Sequence, residues 1–169
     1  MKLAVLMISF LLVTAGCISQ QEPEKQTFVI RKHGIEYLFS NPIENSSLVP
    51  VENEDEILQK ILTAETVKIT FESHEEDNIV FQLAGVEMAS KLSHFYVYGQ
   101  GRFVDVKAAE ISGISPKENE TVILMKGPNT GADGTSIHLS LDEIIVVEGD
   151  TEKNLMLATD RLALIYLKE

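Results

Sequence analysis

Thr66–Glu72 (TVKITFE), Ile79–Tyr98 (IVFQLAGVEMASKLSHFYVY) and Arg102–Ala109 (RFVDVKAA) follow one another with only short breaks, and their three patterns decide the fold. The first alternates with period two, placing Val67, Ile69 and Phe71 on one side of a half-buried strand. In the second, Phe81, Ala84, Met88, Leu92 and Phe95 recur at three-and-four spacing, the stripe of a helix. A second stripe, Ile79, Leu83, Val86 and Ala89, predicts a helix that crosses a sheet and is largely buried. After Gly99 and Gly101 the third run reads as a strand led by Phe103. Strand, helix, strand is the pattern of a parallel βαβ crossover.

Working outward, Thr121–Met125 (TVILM) is a continuous apolar run, as expected of a strand buried on both faces at the centre of the sheet. Thr135–Leu139 and Ile144–Glu148 predict a hairpin. Gly149-Asp150-Thr151 starts a closing helix whose stripe is Leu155, Ala158, Leu162 and Ile165 or Tyr166. Before the crossover, Thr27–Lys32 and Ile35–Phe39 predict a hairpin around His33-Gly34, ended by Asn41-Pro42. Val49–Val51 reads as a short edge segment. Asn53–Leu62 reads as a helix with a capping box from Asn53 to Glu56 and a Glu56–Lys60 pair one turn on. The expected fold is α/β or α+β: a single mixed β-sheet with about three helices packed on it, including a βαβ unit and two hairpins.

At the other end of the chain, Lys2, the apolar run Leu3–Val13 and the small residues Thr14, Ala15 and Gly16 lead into Cys17. The apolar run is too short to span a bilayer, and small residues close it, which is the form of a secretory signal. Cys17 is the sole cysteine and stands where a lipoprotein carries its lipidated N-terminus. The expected organisation is a signal peptide over residues 1–16, a lipidated Cys17 with a polar tether to residue 26, and one globular α/β domain over 27–169. Once residues 1–16 are removed, 13 basic side chains face 26 acidic ones, a net charge of −13. That field repels polyanions, so nucleic acid is excluded as a partner. With the lone thiol lipidated, disulfides and thiolate chemistry are excluded too. The expected location is the outer, extracytoplasmic face of the cytoplasmic membrane, held by lipid on Cys17.

The one segment with the composition of a site is Lys126–Ser136 (KGPNTGADGTS), in which Gly127, Asn129, Thr130, Gly131, Asp133 and Gly134 form a candidate ligand or partner loop. It is not a P-loop, because no Lys-Ser or Lys-Thr pair follows Gly134 and the next run alternates like a strand. Nor is it an EF-hand loop, since Gly131 falls at a ligand position and Ser140 where the closing glutamate belongs. His33, His74, His94 and His138 show no metal-ligand spacing. The acidic runs Glu52–Glu56 and Glu75–Asp77 offer weak divalent-cation binding at most. No nucleophile motif occurs, and neither a catalytic residue nor a cofactor is expected. Asn45 and Asn119 head N-glycosylation sequons in expected loops on the exported side.

The Thr14-Ala-Gly-Cys17 start, the strand Thr121–Met125 leading into Gly127–Ala132, the strand Ile144–Val147, Gly149 and the helix through Ala158–Leu164 together resemble small uncharacterised archaeal envelope lipoproteins. Over Thr121–Leu167 the pattern is also similar to a domain of archaeal S-layer proteins, although this chain is far shorter than an S-layer subunit. The resemblance implies a surface-layer or adhesive context and carries no catalytic residues. The expected function is a non-catalytic binding or structural module of the cell envelope, whose partner is another envelope protein or a surface-layer component. The alternative is a lipoprotein receptor for a small solute or peptide, associated with a transporter. A receptor needs a concave cavity with aromatics and convergent polar groups, whereas an interaction module needs a filled core and an exposed patch.

Overall fold

The computed structural model describes residues 27–32, 34–72, 78–94, 103–108 and 115–168. The crossover forms as expected. Strand β3 (Thr66–Phe71) leads through helix α3 (Asn78–His94) to strand β4 (Phe103–Ala108), and the two strands pair in parallel. Strand β5 (Glu120–Lys126) pairs in parallel with the other edge of β3. Next to it lies β7 (Ile145–Glu148), also parallel, with β6 (Ser136–Leu139) antiparallel at the far edge, giving the order β4-β3-β5-β7-β6. The apolar run Thr121–Met125 thus occupies the central strand, and all five residues are buried.

The fold is α+β with two sheets, which corrects the expectation of one. The first hairpin, β1 (Phe28–Lys32) and β2 (Ile35–Phe39), turns at Gly34 (φ 78°) and stands apart from the large sheet. Its inner residues Phe28, Ile30, Ile35, Tyr37 and Phe39 pack on Ala163, Leu164 and Leu167. Those three belong to α4 (Glu152–Leu167), whose opposite side carries Leu155, Ala158, Leu162, Ile165 and Tyr166 into the main core. A helix apolar on two sides needs cover on two sides, so α4 lies between the sheet and the hairpin. His33, Phe95–Tyr98 and Arg102 lie outside the described residues.

Two further elements depart from expectation. A one-turn helix, α1 (Ile43–Ser47), follows Pro42, which caps its start instead of only ending the hairpin. Proline is at home there because its missing N–H is not needed in the first turn. In α2 (Glu54–Thr63) the capping box does not form. Asn53 sits in the left-handed region (φ 57°, ψ 44°) and its side chain makes no cap bond. Lys60 reaches across to Glu143 at 2.7 Å, not back to Glu56. Glu54 instead ties the helix to α4, accepting from Arg161 at 2.6 Å and Lys168 at 2.8 Å. The inner face Ile57, Leu58 and Ile61 is buried as expected, and Val51 makes the edge bridge, to Ile137.

The core is filled by Ile57, Ile69, Phe81, Met88, Ile123, Met125, Ile145, Leu162 and Tyr166, all fully buried. Phe71 and Phe81 stack with ring centres 5.1 Å apart, fixing α3 on β3. Of the second stripe of α3, however, only Ala89 packs against the core: Ile79 is 80%, Val86 61% and Leu83 46% exposed. The helix lies at the β3–β4 end of the sheet beside α4, so one stripe suffices to close the core.

Thr151 accepts a hydrogen bond at 3.1 Å from the Asn154 N–H and so caps α4. Thr151→Ala will cost about 1 kcal/mol. It should appear as a lower urea midpoint with an unchanged slope, and an unchanged midpoint would show that the cap contributes nothing.

Candidate functional site

The loop 127–134 leaves the carboxyl end of the central strand. β3 and β5 are neighbours whose connections diverge, one through α3 to β4 and the other through this loop towards β6 and β7. Such a switch point at the carboxyl edge of parallel strands is where open α/β sheets bind ligands.

The loop is closed on itself. The Gly127 N–H donates to Thr130 Oγ1 at 2.8 Å, while the N–H groups of Thr130 and Ala132 donate to the Gly127 carbonyl at 3.1 and 3.3 Å. Thr130 is therefore an internal brace and buried. Gly131 turns the chain at φ 81°. Asn129, Gly131 and Asp133 are left at the surface, with Gly134 half-buried. Beyond the loop, Thr135 Oγ1 donates to Asp150 Oδ1 at 3.1 Å and Asn154 Nδ2 donates to the same oxygen at 2.6 Å. Those two bonds, Asn154's first, hold the Asp150 carboxyl below its usual range. A recess of about 260 Å³ opens beside the loop, lined by Leu124, Lys126, Thr130, Gly131, Ser140 and Val146 among others.

A second place was not found from sequence. A groove of about 500 Å³ runs between β2 and α3, walled by Tyr37, Leu38, Phe39 and Val86 and floored by Ser40, Glu87 and Lys91. Under it lies a buried charge network. Lys91 Nζ donates to Asp160 Oδ1 at 2.6 Å and lies 3.5 Å from Glu87 Oε2. Asn41 Nδ2 donates to Asp160 Oδ2 at 2.9 Å, and Ser40 Oγ donates to Glu87 Oε1 at 2.9 Å. The ammonium also sits 4.6 Å from the centre of the Phe39 ring, a cation–π distance. Burial raises the Tyr37 phenol above its ordinary value. The groove's ionic groups are thus satisfied by one another. The sequence signal was there, since Glu87 and Lys91 are the only acid and the only lysine of α3 and stand one turn apart, and Asp160 falls between the apolar positions Ala158 and Leu162 of α4.

The largest of these recesses, about 620 Å³, lies at the amino end of β5 among Lys60, Lys117, Asn119, Asp142 and Glu143. Lys60 holds the Glu143 carboxyl below its usual range, first by its hydrogen bond and then by its charge. Asn119 is exposed in the turn before β5, and its carbonyl accepts from the N–H groups of Glu65 and Thr66. Asn45 is exposed within α1, so its sequon is helical and not in a loop.

His74 lies outside the described residues and His94 ends α3. His138 Nδ1 on β6 is 3.4 Å from Ser136 Oγ and 3.7 Å from Glu148 Oε1, and Ser136 donates to Glu148 at 2.8 Å. One ring nitrogen faces both groups, so this histidine does not stand between a nucleophile and an acid as a relay requires. Among the described residues no three His, Cys, Asp or Glu side chains are grouped to hold a metal, and no helix is long and apolar enough to cross a membrane. No protein-family model matches the sequence, and a search of curated proteins finds no match.

Proposed function

We propose that this protein is a lipid-anchored module on the outer face of the cytoplasmic membrane. There it binds or supports another envelope component, a protein or surface-layer subunit, without catalysing a reaction. The observation that carries the reading is Cys17, the sole cysteine, placed at the end of a short apolar run and ten residues before Thr27. Binding is assigned to the exposed residues of the 127–134 loop, because the loop stands at the switch point and presents Asn129, Gly131 and Asp133 outward.

The receptor reading keeps one specific support, the groove that gathers Tyr37, Phe39, Ser40, Glu87 and Lys91. Against it, the ionic groups there are already bonded to one another and to Ser40 and Asn41, so a solute would have to compete with bonds already made.

Cys17→Ala tests the anchor. The variant is expected to leave the membrane fraction or to accumulate as an uncleaved precursor, with no lipid incorporated. Normal processing and lipid labelling would overturn the anchor. Native mass spectrometry of the gently extracted protein separates the other two readings. A bound small molecule of defined mass would favour the receptor, and a bare chain or a retained macromolecule the envelope module.

A further inference from the structure

Most of the large exposed apolar side chains among the described residues gather on one side of the molecule. On the hairpin, Val29 and Leu38 are direct cross-strand partners, 44% and 57% exposed. Leu38 and Val86 wall the same groove, and Val86, Leu83 and Ile79 continue along α3 at helical spacing. Among the described residues this side is also poor in charge. In a chain with 26 acidic residues, α3 carries a single acid, Glu87, and a single lysine, Lys91, which face each other. The nearest hairpin acid, Glu36, is paired with Arg31 at 2.7 Å. An apolar, charge-depleted face on an acidic protein is a contact surface.

The position of the chain's entry says what it contacts. Thr27, the first described residue, lines the same groove. Between it and Cys17 stand nine residues, Ile18–Gln26, which span at most about 30 Å. Whatever Cys17 is fastened to is therefore within about 30 Å of Thr27, which stands at this face.

We infer that the face formed by Val29, Leu38, Val86, Leu83 and Ile79 docks on the lipid surface that holds Cys17. The inference rests on the lipoprotein reading. Its chemistry is shallow insertion of uncharged side chains among neutral headgroups, since the acidic remainder of the domain is repelled by anionic lipid. Docked this way, the domain has a fixed orientation instead of a free one.

The test uses the full lipidated chain in vesicles of neutral phosphatidylcholine. An environment-sensitive fluorophore is placed at Leu83→Cys, at Val86→Cys and, as a control, at Leu141→Cys. Leu141 is a fully exposed leucine in the β6–β7 turn. The unsubstituted chain is treated with the same thiol reagent. The expected result is blue-shifted emission at positions 83 and 86, quenched by doxyl-labelled lipid, with aqueous emission at 141 and no label on the unsubstituted chain. Aqueous emission at all three, with Cys17 still blocked, would overturn the docking and leave the anchor standing. A blue shift without lipid quenching, together with cross-linking of Val86→Cys between two chains, would assign the face to a second copy and also overturn it. Labelling of Cys17 itself in the unsubstituted chain would remove the anchor and the docking together.

Discussion

Asp160→Ala is expected to destabilise the folded protein by about 3–5 kcal/mol, as measured from the urea midpoint, because it breaks a buried pair from one side. Asp160 is fully buried on α4 and accepts from Lys91 Nζ at 2.6 Å and Asn41 Nδ2 at 2.9 Å. Without it, Lys91, whose side chain is 5% exposed, keeps only Glu87 at 3.5 Å and the face of Phe39. An ammonium left so poorly compensated inside a protein is among the largest single-site penalties known. The pair also joins separate layers: Asp160 belongs to α4, Lys91 to α3, and Asn41 to the segment leaving the hairpin. Its loss should therefore loosen the hairpin before the main sheet, giving faster amide exchange over residues 28–39. Adding Lys91→Met to Asp160→Ala should restore much of the lost stability, because the double change leaves no fully buried charge, only Glu87, which is 21% exposed and keeps its bond from Ser40. The exposed pair Arg31–Glu36 serves as a control, and Glu36→Ala should shift stability by less than about 1 kcal/mol. A loss below about 1 kcal/mol for Asp160→Ala would show that water or backbone rearrangement reaches the site, since such losses are typical of exposed pairs.

That network marks the boundary of what the sequence discloses. Periodicity reports the local pattern of burial, so the alternation of β3, the unbroken apolar β5 and the stripes Phe81, Ala84, Met88, Leu92 and Leu155, Ala158, Leu162 were readable and lie in the core. The crossover and both hairpins were readable for the same reason. Periodicity does not say how many faces of an element find a partner. The second stripe of α3 has the composition of a buried face, yet Ile79 and Val86 are open to solvent. The hairpin β1–β2 has the pattern of sheet strands, yet it packs on α4 as a layer of its own. Cap motifs fail differently. Asn53 and Glu56 have the right spacing, but the backbone of Asn53 is left-handed, which points its side chain away from the first-turn amides. Lys91 and Asp160 are 69 residues apart, and only the docking of α3 on α4 brings them together. The candidate loop was legible as a glycine-rich segment. What the sequence could not assign was the inward role of Thr130 against the outward one of Asn129 and Asp133.

Gly149→Ala is expected to cost about 3 kcal/mol, at the upper end of what overpacking usually costs. Gly149 follows β7 and donates its N–H to the Lys126 carbonyl at 3.1 Å, which fixes it against the end of the central strand. A methyl group there would run into the backbone of Asn154 and Leu155 in the first turn of α4. Backbone cannot escape by changing rotamer, so the turn itself would have to move. That motion would break the Thr151 cap and shift Leu155, which is buried in the core. The other glycines of the region set the scale. Gly131 has nothing within 4 Å of an added Cβ but a φ of 81°, so Gly131→Ala should cost only about 1–2 kcal/mol of left-handed backbone strain. At Gly134 the space is equally open, and no positive φ opposes a side chain, so Gly134→Ala should be neutral or stabilise by up to about 1 kcal/mol. Urea midpoints for the three variants should therefore fall in the order 134, 131, 149. The reverse order, or a neutral Gly149→Ala, would mean that α4 does not start where β7 delivers it. The series also bears on binding, because Gly134→Ala changes the candidate loop while leaving the domain folded. A loss of partner capture in that variant, with its midpoint unchanged, is a loss at the loop itself.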